Sequence, residues 1–118
     1  MMPGTTYSQG DIVLVPFPFT DLSGNKQRPV LVISNDEYNE ASLDLVTCAI
    51  TSHWRDLRYG VSIAQENLQE GTIPLASQVL TAKIFTIEKT LVRKNQARLD
   101  AKTLSEVKRQ LRMLFVLD

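Results

Sequence analysis

The stretch DIVLVPFPFTDLSGNKQRPVLVIS, residues 11–34, holds two apolar, β-branched runs separated by turn residues. DIVLVPF (11–17) and RPVLVIS (28–34) read as strands, and TDLSGNKQ (20–27), with its Asp, Ser, Gly and Asn, reads as the loop of an antiparallel hairpin. Pro16 and Pro18 lie two residues apart, so their missing N–H groups face the same edge, which cannot be fully paired there.

Beyond the hairpin the same grammar continues. SLDLVTCAI (42–50) is predicted as a third strand, reached through the polar connection NDEYNEA. GVSIA (60–64) and TIPLAS (72–77) are shorter candidates on either side of the loop QENLQEG. QVLTAKIFTI (78–87) and the imperfectly alternating LVRKNQARL (91–99) complete the strands. The period then changes. Leu104, Val107, Leu111 and Leu114 recur at spacings of three and four, the mark of one helical face. Asp100 is a candidate N-cap, with Thr103 and Glu106 as a competing capping box. Five to seven short antiparallel strands closed by a helix over 100–115 predict a small half-open β-barrel with the helix packed on it.

The chain has 118 residues, 43% hydrophobic and 22% charged, which fits one globular domain over 1–118 with residues 1–9 as a flexible N-terminal segment. The single cysteine, Cys48, sits in an apolar run and reads as core; with no intrachain partner it agrees with a cytoplasmic setting. No signal peptide or membrane-length apolar run is visible. Thirteen basic and thirteen acidic residues cancel, which counts against binding duplex nucleic acid by bulk charge. Residues 1–59 nevertheless carry a net −3 and residues 60–118 a net +3, leaving room for a local basic cleft.

Two places carry chemistry. Pro29 restricts Arg28 to extended backbone at the mouth of a buried strand, and a guanidinium fork held there suits a phosphate. From the dipeptide alone the commoner reading is a structural arginine paired with Asp21 or Asp11. The second place is AITSHWRD (49–56), where a buried strand gives way to Thr51, Ser52, His53, Trp54 and Arg55. Hydroxyls, an imidazole, an aromatic plate and a cation together can hold a phosphate and stack a base. The structural alternative is a lone tryptophan packed on the core beside a surface histidine. No zinc-spaced Cys/His cluster, P-loop or GxGxxG motif is present, so neither metal nor nucleotide cofactor is expected.

Taken together, GDIVLVPFPFTD, RPVLVIS, AIT, LASQVLTAKIFTIEKTLV and LDAKTLSEVKRQL resemble the MazF/PemK-like toxins of type II toxin–antitoxin systems, in order and at similar spacing from Gly10 onward. The resemblance implies an SH3-like barrel that forms a homodimer. It implies metal-independent, sequence-specific cleavage of single-stranded RNA (mRNA interferase activity), in which the 2′-hydroxyl attacks the adjacent phosphate to leave a 2′,3′-cyclic phosphate and a 5′-hydroxyl. An antitoxin peptide segment would lie across the RNA groove. Arg28 and Thr51 match the family's catalytic arginine and threonine, and Gln78, after Ser77, falls where some members have a groove-lining Glu-Gln pair. Lys26, Ser52 and Arg55 are candidate RNA contacts beside them, and His53 is a candidate base or RNA contact on its own chemistry. The first loop, DLSGNKQ, is shorter than in many members and lacks their glutamate; Ser23 is the residue in it that could partly substitute. The short loop with PFPFTD is closer to the PemK-like branch. Two other readings share the architecture: a CcdB-like toxin that binds DNA gyrase without cutting RNA, and a degenerate SH3-like binding domain.

Overall fold

A computed structural model describes residues 6–17 and 26–118. Seven strands appear in it: β1 (Asp11–Pro16), β2 (Gln27–Val32), β3 (Asp44–Thr51), β4 (Gly60–Ile63), β5 (Leu68–Gly71), β6 (Ser77–Glu88) and β7 (Lys94–Leu99). Two helices join them, α1 (Asp36–Ala41) and α2 (Ala101–Phe115). All strand pairs are antiparallel, in the order β4-β6-β3-β2-β1-β7-β5.

That order forces the sheet to curl. Strands β4 and β5 are opposite edges, yet only residues 64–67 separate them. Five Cα steps reach about 18 Å at most. Seven strands laid flat would span about 29 Å. The edges must therefore approach each other, and the strands form the half-barrel that the hairpin pattern predicts.

Both faces of the central strands are buried. Ile12, Leu31, Cys48, Ile50 and Val79 point into one cluster, onto which α2 packs Leu104, Val107 and Leu111. Val13, Val15, Val30, Val32, Leu45 and Ile87 form a second cluster on the opposite face. Burial on both sides is why these strands read as continuous apolar runs rather than alternating ones. A buried carboxylate fastens the start of β1 to its neighbours. Asp11 accepts from Arg98 Nε at 2.7 Å, Asn95 Nδ2 at 3.0 Å and the Ser8 N–H at 2.9 Å.

The prolines act as the sequence predicts where they can be followed. The Phe17 N–H donates to Lys26 O, so the absent N–H of Pro16 points toward β7, whose ladder with β1 has already ended at Leu14. Pro18, the loop residues 18–25 and the N-terminal residues 1–5 lie outside the described residues. Ser8 and Gln9, expected in a flexible segment, are held: Gln9 donates from its side chain to Ile33 O and from its backbone to Asp36.

Asp100 caps α2 by accepting from the Thr103 N–H at 2.8 Å; the competing box is not used, because Thr103 is itself buried in the helix and Glu106 pairs with Arg109. Two element assignments are corrected. NDEYNEA is not irregular but forms α1, capped by Asn35 Oδ1 accepting from the Tyr38 N–H. Residues 72–77 are not a strand up to Ser77; the edge strand is Leu68–Gly71, inside the segment expected to be a loop. Its residues are mostly exposed, so backbone pairing with β7 rather than apolar patterning defines it. Gly71, at φ +84°, must lack a side chain because a Cβ would lie 2.3 Å from Gln96 O.

Candidate active site

Strands β2 and β3 pair Val30 with Ala49, Leu31 with Cys48 and Val32 with Thr47. Beyond that paired stretch the alternation places Arg28 and Thr51 on the face of the second cluster, and both line the same cleft. The row that begins as buried valines thus runs out into Arg28 and Thr51 where the sheet opens.

Of the two structural partners considered for Arg28, only Asp11 can be followed. Asp11 is committed to Arg98, and Asp21 lies outside the described residues. Among the described residues no carboxylate pairs with Arg28. Its guanidinium instead lies over the Phe17 ring, 5.5 Å from the centroid. A cation on an aromatic face is positioned while its N–H groups stay available to an anion. Thr51 is oriented by its own loop: its Oγ1 accepts the His53 N–H at 3.1 Å, which leaves the hydroxyl proton to donate.

Arg28 and Thr51 share a cleft of about 440 Å³ with Arg55, Lys83, Phe17 and Phe85. Three cations thus stand over an apolar and aromatic floor. A second cleft, of about 350 Å³, meets the same pair and continues along Ser52, Ile73, Leu75 and Gln96. A third, of about 410 Å³, begins at Thr51 and Ser52 and extends to Trp54 and Glu66.

The other candidates are placed unevenly. Lys26 is exposed where β2 begins, and Ser52 is exposed between the second and third clefts. His53 is exposed and lines none of these clefts; its backbone, not its ring, serves Thr51. Trp54 is not a core residue, being 70% exposed. Ser23 lies outside the described residues. Gln78 is buried, and both ends of its amide are occupied: Oε1 accepts the Arg55 N–H at 3.2 Å and Nε2 donates to Arg55 O at 3.0 Å. It clamps the loop that carries Thr51's neighbours, and it also lines the third cleft.

Lys83, Phe17 and Phe85 were not singled out in the sequence. Lys83 reaches the cleft because β6 bulges: Cys48 pairs with Ile84, but Ala49 pairs with Leu80, so residues 81–83 are extra. The polar TAK inside QVLTAKIFTI was the available signal. Thr81 anchors the bulge by donating to Tyr59 O at 2.6 Å. Among the described residues no three His, Cys, Asp or Glu side chains converge as a metal site, and no helix is long and apolar enough to cross a membrane.

This architecture is shared with solved toxins. The MazE–MazF complex of Deinococcus radiodurans aligns with TM-score 0.78 at 23% identity, over 97% of this chain and 100% of that one. A mycobacterial endoribonuclease in complex with its cognate antitoxin aligns with TM-score 0.76 at 17% identity, over 97% of each chain. The Mycobacterium tuberculosis toxin MazF-mt6 aligns with TM-score 0.73 at 19% identity, over 92% and 98%. At these identities the likeness is one of fold. No curated protein matches the chain significantly by sequence. The family model of PemK-like, MazF-like toxins of type II toxin–antitoxin systems matches residues 8–115, so the chain belongs to that family.

Proposed function

We propose that this toxin is an endoribonuclease that cuts single-stranded RNA by metal-independent transesterification. The observation that carries the reading is the convergence of Arg28 and Thr51 on one cleft with Arg55 and Lys83 over an aromatic floor. In the proposed reaction the 2′-hydroxyl gives its proton to solvent water as its oxygen bonds to the adjacent phosphorus. The bond from phosphorus to the 5′-oxygen breaks, and that oxygen takes a proton back from the solvent. The products are a 2′,3′-cyclic phosphate and a 5′-hydroxyl. Arg28 balances the charge that builds on the phosphorane and hydrogen-bonds the leaving oxygen. Thr51 donates its hydroxyl to a non-bridging oxygen. Lys83 and Arg55 hold flanking phosphates, and Phe17 keeps Arg28 in place.

The active species is proposed to be a homodimer, with a solution mass twice the 13.3 kDa of one chain. A cognate antitoxin is proposed to inhibit it by covering the Arg28–Thr51 cleft; that the mycobacterial and Deinococcus neighbours were solved as toxin–antitoxin complexes supports a partner of this kind.

The test is end-labelled RNA incubated with the protein in excess EDTA, beside the Arg28→Ala and Thr51→Ala variants. Cleavage is expected to persist, and each variant to lose about 10²–10³-fold in rate, the worth of one preorganised donor to a developing oxyanion. Unchanged cleavage by Arg28→Ala overturns the mechanism. No cleavage of any RNA moves the assignment to a gyrase-binding toxin of the same fold.

A further inference from the structure

The third cleft, which shares Thr51 with the cleft of the cations, is built differently. It has no arginine or lysine; Trp54, Ser52, Ser62, Glu66 and Asn67 are among its walls. Trp54 is 70% exposed. Glu66 is exposed and has no ion-pair partner among the described residues. Asn67 Oδ1 accepts the Ala64 N–H at 2.8 Å, which fixes the amide and leaves Nδ2 as a donor. A phosphate would be repelled by Glu66, whereas a base would be stacked by Trp54 and met at its edge by an acceptor and a donor side by side.

We infer that this cleft is a guanine-selective nucleobase subsite next to the scissile phosphate. The inference rests on the endoribonuclease reading for its place beside the cut. Its selectivity comes from the donor pattern. Guanine alone presents two adjacent donors, N1–H and N2–H, to the two carboxylate oxygens of Glu66, with O6 as acceptor for Asn67 Nδ2. Adenine and cytosine would turn a ring-nitrogen acceptor toward the carboxylate, and uracil offers it a single donor. Flipped bases of single-stranded RNA are commonly read in this way, stacked on an aromatic plate and hydrogen-bonded along the Watson–Crick edge.

Trp54 is the only tryptophan in the chain, so its fluorescence reports occupancy directly. The probes are uridine-based pentamers containing one guanine or one adenine, built on 2′-deoxyribose throughout so that nothing is cut. The guanine pentamer is expected to quench Trp54 and to bind about tenfold more tightly than the adenine pentamer, the discrimination of one bidentate pair. In Glu66→Gln that preference is expected to shrink to about twofold. Absence of quenching, equal affinity for the two pentamers, or an undiminished preference in Glu66→Gln overturns the inference. Because no bond is broken, guanine-dependent quenching supports the subsite even if cleavage fails. Cleavage of RNA without guanine-dependent quenching removes the subsite and leaves the endoribonuclease reading standing.

Discussion

Thr51 and Arg28 are held by opposite means, and each invites its own substitution. The Thr51 hydroxyl is oriented by the His53 N–H it accepts. A serine keeps both that bond and the donor, whereas an isosteric valine removes both. Thr51→Ser is therefore expected to keep most of the RNA-cleaving rate and Thr51→Val to lose about 10²–10³-fold. A rate kept in Thr51→Val and lost in Thr51→Ser would show that the methyl group, not the hydroxyl, matters. Cys48 shows the contrary case of a chemically capable group set aside. Burial pushes its thiol up to about 12. The folded protein therefore holds the neutral thiol more tightly than the unfolded chain does. That contribution is complete below the thiol's ordinary value of 9.0 and fades as pH rises toward about 12. The urea midpoint of the native protein is expected to fall more between pH 8 and pH 10.5 than that of Cys48→Ala. Parallel declines would contradict the burial.

The loop between β3 and β4 depends on one buried side chain. Gln78 grips both backbone groups of Arg55, and Gly60 makes the space for it: a Cβ on Gly60 would lie 2.5 Å from Gln78 Nε2. Gly60 has an ordinary backbone conformation, so alanine fits the chain locally but displaces the amide. Gly60→Ala is expected to leave the thermal midpoint within a few degrees while lowering RNA cleavage about tenfold, as misplaced contacts near a reacting centre do. Full activity in Gly60→Ala would show that the clamp does not matter to the site. This clamp illustrates what sequence could and could not reveal. The β1–β2 pair and α2 were legible because long apolar runs, Pro16 and the Asp100 cap each state a local preference. The α1 helix was not, because six residues of DEYNEA are too few to show a period and its stability comes from Asn35 and the buried Asn39. Strand β5 was not, because an exposed edge needs only backbone partners. Arg28 and Thr51 could be named from motif resemblance, but Lys83 could not, since its place depends on a bulge set by the register between β3 and β6. Gln78 could be named from the same resemblance; that its amide grips the backbone of Arg55 is a property of packing.

Charge makes the same distinction for the molecule as a whole. Its formal net charge is zero, yet Arg28, Arg55 and Lys83 line one cleft while Glu66 lines the cleft beyond Thr51. A protein that held RNA by bulk attraction would need a net excess of cations spread over its surface. One that holds it at a local track needs only as many cations as it has phosphates to meet. The two differ in their response to salt, because each neutralised phosphate of a single strand releases counterions with a slope of about −0.7 in log K against log salt. Three cations predict a slope of about −2 for a non-cleavable single-stranded RNA analogue. Lys83→Ala is expected to reduce that slope to about −1.4 and to weaken binding by a similar factor for every sequence, since a phosphate contact carries no base information. A slope near zero would remove the three-cation track. A slope steeper than about −4 would require cations well outside the cleft and would shift the binding surface away from Arg28 and Thr51.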